Sequence, residues 1–255
     1  MSLEIVTIPC RTDNYAYILR DSVKGETAVV DVPEAAPVLA ALRERGWNLD
    51  LILITHHHAD HVDGVEEVRK ATGARVLGAA ADEHRLPPLA RALVEGDKVA
   101  LGGSVAQVLD VSGHTVGHIA FHFAGDHAVF TADSLMALGC GRIFEGTPEM
   151  MWKSLSKLSA LPPETMVYSG HEYTQANARF ALTIEPGNGA LEARSARIDA
   201  LRAKGLPTVP VSLREELETN PFLRATRPEV KQAIGMPTAS DVKVFAEIRS
   251  RKDSF

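Results

Sequence analysis

The sequence predicts an α/β fold over residues 1–172, followed by a small all-α domain over residues 173–255. Three observations predict it. Apolar β-like runs recur through the first part, and four of them end in a small residue followed by one able to bind a metal: His56, His114, Asp133 and His171. Helix-patterned segments stand between those runs, and after about residue 173 the strand signals fade while helical patterns take over.

Residues 3–8 alternate loosely as an opening strand. Residues 15–19 and 28–30 are strand-like and flank a polar turn at Lys24-Gly25, which reads as an antiparallel start. A helix follows from Ala35 to Arg45 and is stopped by Gly46. Leu51-Ile52-Leu53-Ile54 is an unbroken apolar run, as expected of a strand buried on both faces. Beyond the His-rich stretch, Gly64 precedes a helix over 65–71, and Arg75-Val76-Leu77-Gly78 is a short strand. Pro87-Pro88 breaks any long helix over 82–95. Further strands are expected at 105–111, 119–123, 128–130 and 166–168. Helices are expected over 175–184 and 190–204, with Ser212 and Glu215 as a capping box for one ending at Glu218. Val242, Phe245, Ile248 and Arg249 share a face of a last helix.

The bulk numbers exclude several classes. With 45% hydrophobic and 24% charged residues, the 255-residue chain can bury an ordinary core. A formal net charge of −6 and the lack of a basic stripe argue against a nucleic-acid partner. No run approaches the roughly 18 apolar residues of a membrane span. Two cysteines make no disulfide framework, and no basic region opens the chain, so a soluble, cytoplasmic protein is expected. The chain is expected to act as a monomer.

Thr55-His56-His57-His58-Ala59-Asp60-His61 crowds four imidazoles and a carboxylate at a strand end. His56 and His58 point the same way only if that segment is extended, since on a helix they diverge by about 200°. An affinity tag would be terminal and unbroken, whereas this run is internal and interrupted. The candidates gather as His56, His58 and His114 for one ion, Asp60, His61 and His171 for a second, and Asp133 between them. Three ligands per ion and a shared carboxylate leave room for a bridging solvent, the layout of a two-metal hydrolytic site. Nitrogen and oxygen donors suit two divalent ions, zinc first and iron or manganese as alternatives. His57 alternates away from the ligands, His118 and His122 fit structural roles, and His84 and His127 fit surface loops. Asp31 is placed to orient a ligating histidine, Cys140 to pack, and Asp63 and Glu172 to cap or support.

His56-x-His58-x-Asp60-His61, with His114, Asp133 and His171, resembles the metallo-β-lactamase superfamily. Further marks sharpen the resemblance to glyoxalase II, hydroxyacylglutathione hydrolase: Asp13-Asn14-Tyr15, Ser112 to His118, Gly139-Cys140-Gly141-Arg142, Gly170 to Thr174, Glu185 to Asn188, Asn220 to Arg224, and Arg249-x-x-Lys252-Asp253. The resemblance implies an αββα sandwich and a helical domain that helps bind glutathione. It implies a thioester hydrolase acting on S-D-lactoylglutathione in methylglyoxal detoxification, releasing D-lactate and glutathione. It makes Asp60 and Asp133 the catalytic carboxylates, working with a hydroxide that bridges the metals. It places Arg142, Tyr173, Arg249 and Lys252 against the glutathione moiety. Arg142 stands where lysine is expected, and Phe144, which has no hydroxyl, where a tyrosine contacting glutathione is expected. Apart from the resemblance, Arg249, Arg251 and Lys252 read as a solvated basic tail.

Three other readings share these residues. A persulfide dioxygenase of the same superfamily would hold one iron and would not need the Arg249–Lys252 tail. A β-lactamase or lactonase would use the same donors without it. A binding module with a structural metal would close its coordination sphere, whereas this donor set leaves positions open.

Overall fold

The computed structural model describes residues 3–255. It falls into two units, one running to Val111 and including Val116–Ala132, the other comprising Ser112–Thr115 and Asp133–Phe255.

In the first unit β1 (Leu3–Cys10), β2 (Asn14–Asp21) and β3 (Thr27–Val30) form the antiparallel start. Helix α1 (Ala35–Arg45) ends at Gly46, whose φ of 64° is the left-handed cap that glycine reaches at no steric cost. Strand β4 (Leu51–Leu53) pairs parallel with β3 and is wholly buried, as its continuous apolar run requires. Helices α2 (Ala59–Val62) and α3 (Val65–Thr72) lead to β5 (Arg75–Ala79) and β6 (Arg91–Leu93), which extend the sheet in parallel. The sheet order is β1-β2-β3-β4-β5-β6. A second antiparallel run is built from β7 (Lys98–Leu101), β8 (Ser104–Asp110), β9 (Ile119–Phe123) and β10 (Ala128–Ala132).

Side-chain alternation sorts the first sheet into two faces. Ala16, Ile18, Val29, Ile52 and Val76 pack with Val38 and Leu42 of α1 and Val65 and Val68 of α3. Tyr17 points the other way, and its ring lies 5.6 Å from Phe130 of β10. A helical layer therefore covers one face of this sheet, and the second sheet meets the other. Ile8, Ile18, Ile52 and Ile54 are at most 7% exposed, so burial of these side chains drives the layering.

The second unit carries β11 (Leu135–Met136) and β12 (Gly139–Cys140), a two-residue hairpin, then α4 (Pro148–Ser159) and β13 (Met166–Ser169). Helices α5 (Thr174–Ile184) and α6 (Gly189–Arg202) follow. Next come β14 (Val211–Ser212), α7 (Leu213–Thr219), α8 (Pro228–Ala233) and α9 (Asp241–Ser254). Phe180, Phe222 and Phe245 are fully buried, and Trp152 of α4 packs on Phe245 at 5.8 Å between ring centroids. The expected capping box is present, with Ser212 Oγ accepting from the Glu215 N–H. Two of the sequence motifs meet here: Arg224 donates through Nε and Nη2 to the two carboxylate oxygens of Glu185, at 2.8 and 2.9 Å.

Several elements go beyond the sequence reading. Asp60 and His61 lie in a short helical turn, α2, not in a loop without regular structure. Helix α4 was not anticipated, although Thr147-Pro148-Glu149 is a helix-start signal: Thr147 caps Met150 N and Pro148 opens the first turn. Strands β6, β7, β11, β12 and β14 and helix α8 were not anticipated either.

Candidate metal centre

In the first unit the donors stand where two parallel strands end side by side. Asp31 follows β3 with a φ of 54°, a left-handed conformation rare outside glycine and of the kind functional sites hold. One of its oxygens accepts from Thr55 N at 2.9 Å, and the other accepts from Thr55 Oγ1 at 2.8 Å and lies 2.8 Å from His61 Nδ1. The carboxylate thereby fixes the proton on Nδ1 of His61 and leaves Nε2 as a lone-pair donor. Asp31 sits close enough to His56 and His61 to make a metal-sized group with them. Both its oxygens are taken by Thr55 and His61, so it serves as the orienting acid.

His56 and His58 face each other, with Nε2 of one 3.2 Å from Nδ1 of the other. His56 is fully buried, its Nδ1 is 3.0 Å from Thr55 Oγ1, and His118 stacks on its ring at 4.5 Å and 12°. Asn14 Nδ2 donates to the main-chain oxygen of Asp60 at 3.0 Å and to its carboxylate at 3.1 Å. His57 turns away: its Nδ1 lies 3.0 Å from Asp82, a buried carboxylate that also takes Arg85. A Cβ on Gly117 would lie 2.2 Å from Asp82, so the loop passes there only as glycine. Asp63 pairs with Arg11, whose Nε donates to Pro33 O at 3.1 Å.

In the second unit one carboxylate oxygen stands between two imidazoles. Asp133 Oδ2 is 3.4 Å from His114 Nε2 and 3.3 Å from His171 Nε2. His114 Nδ1 donates to Arg142 O at 2.7 Å, which leaves Nε2 without a proton when the ring is neutral. A lone pair then faces a carboxylate at a buried point. That is unfavourable alone and favourable around a cation. A Cβ on Gly141 would fall 2.1 Å from Asp133 O and 2.8 Å from His114 Nδ1, so glycine is required beside this donor set. Tyr173 stacks on His171 at 4.6 Å and 8°, and Phe144, 63% exposed, sets its ring edge-on to His114 at 5.2 Å.

The cations of the second unit divide by environment. Arg142 is mostly exposed, with Nε 3.6 Å from Asp253. Lys252 is half-buried over Phe180 and Phe255, and its ammonium is pushed down to about 8 by burial first, then by Arg249, Arg179 and Arg142. Arg249 is placed differently from Arg142 and Lys252. It is buried, and it donates to Cys140 O at 2.8 Å and to Asp253 at 2.9 Å, so its guanidinium is turned inward. Burial pushes the Cys140 thiol up to about 11, which suits a packing role and not a nucleophile. Glu172 accepts from Thr208 N and Oγ1, at 2.8 and 2.6 Å, a supporting role. The supports Asn14, Asp82 and Arg11 were missed as such. Asn14 carried a signal, since it lies within a motif, but no spacing rule pairs it with Asp60.

Comparison with known proteins covers the whole chain. The family described as the metallo-β-lactamase superfamily matches residues 12–171, and the one described as hydroxyacylglutathione hydrolase C-terminus matches residues 172–255. A hydroxyacylglutathione hydrolase of Cereibacter sphaeroides is 64% identical over 255 residues, covering 100% of each chain. One of Ruegeria pomeroyi is 61% identical over 255 residues, again covering 100% of each. Among solved structures, ETHE1 from Myxococcus xanthus is similar with a TM-score of 0.68 and 26% identity, covering 98% of this chain and 90% of that one.

Proposed function

The chain belongs to the hydroxyacylglutathione hydrolase (glyoxalase II) family, and from that premise we propose that it hydrolyses S-2-hydroxyacylglutathione thioesters, S-D-lactoylglutathione foremost. Water and thioester give a 2-hydroxy acid and glutathione. The observation that carries the metal-dependent form of this reading is Asp133 Oδ2 set between the Nε2 atoms of His114 and His171. The match of residues 172–255 to the hydrolase C-terminus favours the hydrolase over the single-iron oxygenase.

In this reading His56, His58 and His114 would hold one divalent ion and Asp60, His61 and His171 a second, with Asp133 as a ligand common to both. Zinc suits these donors best, with iron or manganese as alternatives. Bound ions would lower the pKa of a water from 15.7 to about 7 and so supply a nucleophile at neutral pH. Asp31 keeps His61 in the tautomer that presents Nε2, and the Arg142 carbonyl does the same for His114. Asn14 holds the Asp60 carboxylate in one orientation. Glutathione leaves as a thiolate with a pKa near 8.5, so no strong general acid is required of the chain.

Residues 1–172 supply the chemistry in this reading, and residues 173–255 with Arg142, Phe144 and Tyr173 bind glutathione. Arg142 and Lys252 attract its carboxylates. Arg249 belongs to the same binding set, and the Cys140 carbonyl and Asp253 accept from its guanidinium and hold it in place. No described helix is long and apolar enough to cross a membrane. Both cysteines are buried and free, which suits the reducing cytoplasm, with the chain acting as a monomer.

The test is a metal count joined to hydrolysis of S-lactoylglutathione. The expected result is two ions per chain and thioesterase activity lost with the metal. Asp133→Ala should lower both metal content and rate. Lys252→Ala should raise KM more than it lowers kcat. One iron per chain with oxygen uptake and no thioester cleavage would overturn the assignment.

A further inference from the structure

The Asn220 to Arg224 motif supplies no group to the proposed reaction, yet Asn220 reaches the hairpin that separates two residues of it. The β11–β12 hairpin begins two residues after Asp133 and ends two residues before Arg142. Its ends are tied together, since Gly141 N donates to Asp133 O at 2.9 Å. Movement of the hairpin therefore moves the Asp133 carboxylate and Arg142 together.

The turn of this hairpin is strained. Leu138 has a φ of 56°, a conformation that a branched side chain avoids. Leu138 is also fully buried among Ala178, Ala181, Leu191 and Ile198, so its N–H is out of reach of bulk water. A buried N–H without an acceptor is costly, since it has given up water and gained no partner. Glu216 of α7 provides the acceptor, with Oε2 3.0 Å from Leu138 N.

Glu216 is itself fully buried, and a lone carboxylate there would be costly. Arg194 pairs with its Oε1, and Asn220 Nδ2 donates to its Oε2 at 2.8 Å. The same Asn220 amide lies 3.0 Å from Gly139 O and 3.3 Å from Met136 O, the two residues paired across the hairpin. Asn177 Nδ2 donates to Ala137 O at 3.0 Å, and Arg249 donates to Cys140 O. Main-chain groups from residue 136 to residue 140 are thus each held by a side chain of the helices that follow.

We propose that Glu216 and Asn220 are positioning residues: by clamping the Leu135–Cys140 hairpin they set the Asp133 carboxylate for metal and Arg142 for substrate. This inference rests on the assignment of Asp133 and Arg142 made above. It gives the C-terminal helices a part in metal binding, which they reach without contributing a ligand. A buried ion pair adds little stability over an apolar replacement, so geometry is the more reasonable product of this one.

The experiment compares Glu216→Leu, which removes the acceptor, with Glu216→Gln, which keeps one, and adds Asn220→Ala. Zinc affinity of the metal-free proteins is measured against a competing chelator, with KM for S-lactoylglutathione and Tm alongside. Glu216→Leu and Asn220→Ala should lose zinc affinity by about tenfold, as loss of an outer support does, and should raise KM. Glu216→Gln should melt lower but bind zinc much as the parent does. If all three bind zinc and substrate as the parent does while melting lower, the clamp is only structural and the inference fails. Equal loss of affinity in Glu216→Gln and Glu216→Leu would also overturn it. Should Glu216→Leu not fold, Asn220→Ala decides, because it leaves Glu216 paired with Arg194. Absent thioesterase activity in the parent would remove the proposed function and leave the zinc comparison intact.

Discussion

Lys252 shows how one side chain's surroundings set its working range. Burial and three neighbouring guanidinium groups depress its ammonium to about 8. The folded value lies below the ordinary one, so the charge is present below pH 8 and is lost as pH rises through it. Attraction for a glutathione carboxylate should follow the same course. KM for S-lactoylglutathione should therefore rise above about pH 8, and Lys252→Arg should flatten that rise, since arginine stays charged. A KM that rises equally in both proteins would assign the effect to another group. At this scale much was legible. His56, His58, Asp60 and His61 stand out as candidate donors because their chemistry is packed into six residues. Asp31 was legible too, as an acid at the end of the neighbouring strand. The inward turn of Arg249 was not, because sequence reports that a guanidinium is present and not which acceptor it finds.

Elements with strong local signals were read well, and those that depend on partners were not. Helix α1 runs over the expected residues because its apolar positions repeat at helical spacing and Gly46 can adopt the left-handed cap. Strands β11 and β12 are two residues each, too short for any period to register, and the carbonyls of the hairpin are held by Asn177 of α5, Asn220 after α7 and Arg249 of α9. Strand β6 pairs with β5 at residues Arg91–Leu93, where the flanking prolines hid it. Helix α4 had a readable start at Thr147-Pro148. Thr147 Oγ1 accepts from Met150 N at 3.3 Å. Thr147→Ala should cost about 1 kcal/mol. Differential scanning calorimetry should read that as a fall in Tm of about 2–4 °C for a chain of this size. Metal content should be unchanged. A fall of more than ten degrees would mean that Thr147 has a further role.

For the whole molecule, charge and ligand binding act together. In the proposed function a chain of net charge −6 meets its anionic substrate through a local cluster, and Arg142, Arg179 and Lys252 are near enough to act on one another's charge. Attraction between exposed charges is screened over about 8 Å at physiological ionic strength. KM should accordingly rise with salt while kcat holds, as steady-state kinetics in a sodium chloride series would record. Chelation should lower Tm as well as activity, because ions that bind only the folded state stabilise it by mass action. A chelated protein that melts with the loaded one would speak against an ion held at the buried donors. The metallo-β-lactamase fold and the helical C-terminal domain were both within reach of the sequence, since the family motifs run from Asp13 to Asp253.

Taken alone, the sequence determined the chemistry on offer: seven candidate donors, the apolar runs that precede them, and the helical tail with its cations. Those are local properties, written in side-chain type and in periods of two and 3.6 residues. Tertiary structure alone decided which atoms those groups present. It set the His61 and His114 tautomers through Asp31 and the Arg142 carbonyl, turned His57 toward Asp82, and spent Arg249 and Glu216 on the hairpin beside Asp133. The reason is physical: a buried polar group must find its partner within hydrogen-bond reach, and that partner is chosen by the fold, often a hundred residues away.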